Sequence, residues 1–123
     1  MKYEIIKFIN NNVELEVTVS PEEKTVWLTK EQIASLFDRD RSVISRHINR
    51  IYKEGELDKN TSVHFLHFSF NDTNPAYRPP EYYNLDLITS IGYRVKSQNG
   101  LLLKQAMLDY LSKKEVKNYD IIV

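Results

Sequence analysis

The hydrophobic period of the chain switches at one residue, Thr29, from about two to about 3.6, and few folds accommodate such a switch. Before it, Val13, Leu15, Val17 and Val19 alternate with Glu14, Glu16 and Thr18, as a strand with one buried face requires. Ser20-Pro21-Glu22-Glu23-Lys24 has the chemistry of a turn, and Thr25-Val26-Trp27-Leu28 that of a return strand. A β-hairpin over residues 13–28 is therefore predicted to feed a helix. Thr29-Lys30-Glu31-Gln32 fits a capping box, in which the threonine oxygen accepts the Gln32 N–H and the glutamine side chain reaches back. The helix it opens is predicted to end near Phe37, with Ile33, Ala34, Leu36 and Phe37 as its buried stripe.

Asp38-Arg39-Asp40 interrupts the pattern, and a second helix is predicted to continue to Glu54. Asp40 or Ser42 caps it, with Asp40 favoured because its charge suits the positive end of the helix dipole. Gly55 stands where a left-handed C-terminal cap is expected. Projected at about 100° per residue, Ile44, Ile48 and Ile51 share one narrow face. Ser42, Ser45, Arg46, Asn49 and Lys53 fall almost opposite. Serine hydroxyls and lysine bond phosphate, arginine forks onto guanine, and asparagine pairs with adenine. Most polar helix faces are merely solvated. Here a capped short helix, a brief break and a second helix with base-reading side chains coincide, which is the arrangement of a helix-turn-helix. Residues 29–55 are predicted to form that motif, with Arg41, Ser42, Ser45, Arg46, Asn49, Arg50 and Lys53 as its DNA-binding residues.

Beyond Gly55, Thr61 to Phe70 reads as a strand apolar on both faces, and Glu81-Tyr82-Tyr83 as the tail of its partner. Residues 61–83 then form a hairpin after the helix-turn-helix, the order of a winged version of that motif. Arg78, near the hairpin tip, either touches backbone phosphate or is a solvent-exposed loop arginine. From Asn84, a plausible N-cap, the helical period returns with Leu85, Leu87, Ile88, Ile91 and Val95. Ser97-Gln98-Asn99-Gly100 reads as a turn before a last helix from Leu101 to about Lys117. That helix has Leu101, Leu102, Leu108 and Leu111 as apolar residues, and Lys104, Lys113, Lys114 and Lys117 as a solvated charged face. The predicted fold over residues 1–123 is one α+β domain: a winged helix-turn-helix with an N-terminal β-hairpin and a C-terminal helical pair at 84–117.

Composition removes several function classes. The chain has no cysteine, so disulfides, thiolate metal sites and thiol nucleophiles are excluded. Its three glycines, Gly55, Gly92 and Gly100, build no phosphate-cradling loop. His64 and His67 fall on opposite faces of a strand and share no metal, and His47 reads as a packed residue near the first helix. No catalytic residue, metal, cofactor or small-molecule ligand is expected. No run approaches the ~20 apolar residues of a membrane helix, and Glu4 and Lys7 interrupt the opening apolar stretch of an export signal. A cytoplasmic location without a membrane partner is expected. The net charge is +0, yet it is unevenly spread. Arg39, Arg41, Arg46, Arg50 and Lys53 outnumber Asp38 and Asp40 in the second-helix segment, whereas glutamates dominate residues 1–25.

Several short strings bear a further likeness. Trp27-Leu28-Thr29, Phe37, Asp40-Arg41-Ser42, Ile44-Ser45-Arg46-His47-Ile48-Asn49, Glu54-Gly55-Glu56-Leu57, Tyr83-Asn84-Leu85-Asp86 and Gly92-Tyr93-Arg94-Val95-Lys96-Ser97 together resemble the RhuM family. These are bacterial proteins named from a virulence locus and often carried on mobile elements. The likeness runs from about Val13 to Leu111. RhuM-like chains are typically longer, so it implies the N-terminal DNA-binding portion. It also implies a winged helix-turn-helix in the style of phage antirepressor domains, with a role in DNA-linked regulation. The chain departs from common patterns at Asp38, where the turn often has glycine, at Arg39, where it often has an apolar residue, and at Gln105-Ala106-Met107, where an aromatic residue is frequent.

Two functions follow as expectations. The first is sequence-specific binding of double-stranded DNA by a transcription regulator of a mobile-element or virulence locus, as a homodimer with the last helix at its interface. The second is an antirepressor-type protein-interaction module that does not bind DNA itself.

Overall fold

The computed structural model describes residues 3–65 and 80–122. The fold is α+β, with a five-stranded antiparallel sheet and five helices among these residues. Strand β1 (Glu4–Asn10) turns at Asn11, which adopts a positive φ of 53°, into β2 (Val13–Ser20). The alternation of β2 holds as expected: Leu15, Val17 and Val19 are buried while Glu14 and Glu16 are exposed. Thr18 and Ser20 are buried as well, on the face where Thr18 lies opposite Trp27.

Strand β3 (Thr25–Thr29) leads directly into helix α1 (Lys30–Phe37) through the capping box. The Gln32 N–H donates to Thr29 Oγ1 at 3.2 Å, and the Thr29 N–H to Gln32 Oε1 at 2.8 Å. The other end of the Gln32 amide donates to the Glu16 carbonyl at 3.1 Å, fastening the helix start to β2. Helix α2 (Arg41–Lys53) follows after three residues. Its N-cap is Asp40, but no side-chain hydrogen bond is made there, so the expected carboxylate cap is absent.

A short helix α3 (Lys59–Ser62), capped by the Asp58 side chain, occupies the first residues expected to be strand. The strand itself begins at Val63, as β4 (Val63–Phe65), and pairs with β5 (Glu81–Asn84). The remainder of the expected strand, with His67, and the loop with Arg78 lie outside the described residues. The two expected hairpins are not separate. Trp27 pairs with Asn84, Leu28 with Tyr83 and Thr29 with Tyr82, giving one sheet in the order β1-β2-β3-β5-β4.

Asn84 caps helix α4 (Leu85–Val95) by accepting the Leu87 N–H at 3.2 Å, as its sequence predicts. Helix α5 (Asn99–Ile122) begins two residues earlier than expected and runs beyond Lys117. Ser97 is the reason for the early start, its hydroxyl accepting the Asn99 N–H at 3.2 Å. Gly100 is therefore helical; a Cβ there would stand 3.5 Å from the Phe37 ring and 3.6 Å from the Ile88 carbonyl. The buried stripe of α5 is Leu103 and Met107, whereas Leu101, Leu102 and Leu108 are exposed.

One hydrophobic cluster joins Phe8, Val17 and Val26 of the sheet with Ile33 and Leu36 of α1, the isoleucines of α2, Ile88 and Ile91 of α4, and Leu103 and Met107 of α5. Among the described residues no helix is long and apolar enough to cross a membrane.

Candidate nucleic-acid interface

The orientation of α2 is fixed from its apolar side. Ile44, Ile48 and Ile51, spaced four and three residues apart, are buried in the core and touch one helical stripe. Complete burial of a side chain of this size contributes about 1.5–3 kcal/mol. The three together hold the helix against rotation about its axis. The opposite side is thereby turned to solvent. Arg41, Ser42, Ser45, Arg46, Asn49, Arg50 and Lys53 line one open groove of about 590 Å³ along it. All are exposed except Ser45, which is half-buried. Every α2 residue expected to bind DNA thus lies on this surface; Arg78 lies outside the described residues.

The cations of the groove are not equivalent. Arg41 Nε donates to Glu31 Oε1 at 2.7 Å, tying the first turn of α2 to the first turn of α1. Both side chains are largely exposed, so the pair is easily exchanged for another acceptor. Among the described residues Arg46, Arg50 and Lys53 form no ion pair. Their charges and donors remain available to a ligand.

Three helices around this surface end in the same way. Asp38 (φ 52°), Gly55 (φ 74°) and Lys96 (φ 57°) take the left-handed conformation after α1, α2 and α4. In each case the next residue donates its N–H to the carbonyl five positions back: Arg39 to Ala34, Glu56 to Ile51 and Ser97 to Gly92, all at 3.0 Å. These are Schellman closures, which satisfy carbonyls that a helix end leaves open. Gly55 was the expected one; the other two use residues with side chains.

Arg39 explains its own departure from an apolar turn residue. Its guanidinium donates to the carbonyls of Phe37 at 3.4 Å, Asp38 at 3.2 Å and Val95 at 3.3 Å. It thereby joins the C-terminal ends of α1 and α4, where the helix dipoles favour a cation. Asn99 makes a parallel link on the far side of α1, donating to the Leu36 carbonyl at 2.8 Å and accepting from Asn10 at 3.0 Å.

The C-terminal end of α2 is fastened to α4 by charge. Arg94 Nη2 donates to Glu54 Oε1 at 3.3 Å and to Glu56 Oε1 at 2.9 Å, and the Ser90 hydroxyl donates to Glu56 Oε2. The bonds from Ser90 and Arg94 hold the Glu56 carboxyl below the usual carboxylate range. The charge of Arg94 also reaches His47. Burial first, then the charges of Arg94, Arg46 and Arg50, push its imidazole below the ordinary histidine value. Its Nδ1 is buried without a hydrogen-bond partner. The Arg94 contacts were not legible in the sequence, because about forty residues separate the partners and no local period relates them.

On the sheet, the exposed His64 ring meets Trp27 edge-on, with centroids 4.8 Å apart. Among the described residues no three His, Asp or Glu side chains cluster as a metal site would require. Compared with protein families, curated proteins and solved structures, the chain matches none.

Proposed function

We propose that the chain is a sequence-specific binder of double-stranded DNA and a transcription regulator, with α2 as its reading helix. The observation that carries this reading is the outer face of α2. Three cations without ion pairs, an asparagine and two serines share one open groove, on a helix locked from behind by three isoleucines. Arg46 and Asn49 are assigned to base edges; Ser42, Ser45, Arg41, Arg50 and Lys53 are assigned to phosphates. The pair β4–β5 follows the two-helix unit after the short helix α3 and lies beside β3, which supports a winged helix-turn-helix with this pair as the base of the wing. Arg78 belongs to that wing in the proposal. The RhuM resemblance supports the same reading and extends it to regulation of a mobile-element or virulence locus, in the cytoplasm. One reading helix covers few base pairs, so the active species is proposed to be a homodimer.

Fluorescence anisotropy with a duplex from the protein's own upstream region tests the reading. Arg46→Ala and Asn49→Ala are each expected to weaken binding by about 1–3 kcal/mol, and neither is expected to shift the thermal melt. An unaltered affinity in both variants would sink the assignment.

The second reading, an antirepressor-type protein-interaction module, is favoured by one observation: Leu101, Leu102 and Leu108 are exposed on α5. Under it, substituting these leucines abolishes capture of a repressor partner, and no duplex is shifted at low salt.

A further inference from the structure

We propose that Arg94 is a positioning residue for the reading face of α2, keeping the carboxylates of Glu54 and Glu56 away from it. The inference rests on the DNA-binding reading given above. Two sequence strings that the groove itself does not use, Glu54-Gly55-Glu56 and Gly92-Tyr93-Arg94, meet here in space. Glu54 follows Lys53 directly and stands four residues after Arg50, the spacing at which helical side chains pair. Left alone, its carboxylate is within reach of Arg50 and presents a negative charge at the phosphate-facing end of the helix. Glu56 adds a second charge just beyond it.

Arg94 takes hold of both. One guanidinium nitrogen reaches both carboxylates, and the Arg94 side chain is only 22% exposed, less than either glutamate. Ser90, itself buried on α4, holds the remaining oxygen of Glu56. The Schellman closure at Gly55 turns the chain so that Glu56 comes back toward α4. Arg94 therefore acts on DNA without touching it: it partly neutralises two anions and leaves Arg50 and Lys53 unpaired.

The test uses the full chain and a duplex of mixed sequence, with affinity read by anisotropy at low and at high salt. Arg94→Met is expected to weaken binding by about three- to tenfold at low salt, and the gap is expected to shrink as salt screens the exposed carboxylates. Adding Glu54→Gln and Glu56→Gln to that variant is expected to restore binding. A merely structural role for Arg94 would not be rescued this way, since the double substitution returns no link to α4. If Arg94→Met fails to fold, Arg94→Lys keeps the charge on a differently shaped side chain, and is expected to show a smaller loss with the same rescue. Binding by Arg94→Met equal to that of the unaltered chain, or no recovery with the two glutamines, overturns the inference and leaves the DNA reading intact. Failure of the unaltered chain to bind any duplex at low salt overturns both.

Discussion

At φ 52° and ψ 53° the Asp38 backbone lies where an L side chain crowds its own carbonyl, a conformation that costs about 1–2 kcal/mol for most residues and less for aspartate. The loss of period in the sequence marks the site of the turn, with Asp38 where glycine is common. The partner that makes Arg39 suitable beside it was not legible, because the Val95 carbonyl lies 56 positions away. Asp38→Gly removes the crowding and breaks no side-chain hydrogen bond among the described residues. It is expected to stabilise the protein by roughly 0.5–1 kcal/mol in chemical denaturation, without altering DNA affinity. A destabilised Asp38→Gly would mean that the carboxylate does something in the turn beyond filling it.

Elements with one clear period are legible in the sequence, and elements without one are not. Helices α1 and α4 have a side-chain cap and an apolar stripe, and α2 has the stripe alone; for each, the sequence places the ends within a residue or two. Strand β1 has Ile5-Ile6 and Phe8-Ile9 on both faces, with Ile5 and Ile9 exposed, so its alternation is hidden. The start of α5 was masked by Ser-Gln-Asn-Gly, whose turn chemistry also serves as a helix start when Ser97 caps it. The packing of α2 on α4 has a consequence for acid stability. His47 is held below its ordinary value in the fold, while the unfolded chain takes up its proton near pH 6.5. Between those two values the unfolded state binds more protons, so stability is full above about pH 6.5 and is lost as pH falls through the folded value. The melting temperature is expected to decline as pH falls below about 6.5, and His47→Gln is expected to flatten part of that decline. Equal slopes for the two proteins would remove His47 from the account. Glu56 acts in a lower window, stabilising above 4.5 and losing that contribution below it.

Across the whole molecule, a net charge of +0 conceals an uneven spread of charge. Glu14, Glu16, Glu22 and Glu23 lie on β2 and the turn after it, while the groove on α2 gathers Arg41, Arg46, Arg50 and Lys53. Electrostatic attraction to DNA is set by that local concentration and not by the total. With three or four phosphates neutralised by each protomer, a plot of log affinity against log salt is expected to have a slope of about −2.7 to −3.6 per protomer bound, and Lys53→Ala is expected to reduce it by about one per protomer. A slope near zero in the titration would show that these cations do not meet phosphate.

The pairing of β3 with β5 has one more consequence. The chain leaves the sheet after Thr29 into α1 and α2, rejoins it at its edge as β4, and comes back opposite Thr29 at Tyr82, so the two ends of this excursion are held across one strand spacing, about 4.8 Å. Its two ends cannot separate unless that ladder breaks. That ladder therefore opposes a swing of α2 about the mouth of the excursion. Arg39 and Arg94 add side-chain bolts to α4, through which a displacement of α4 reaches α1 and α2.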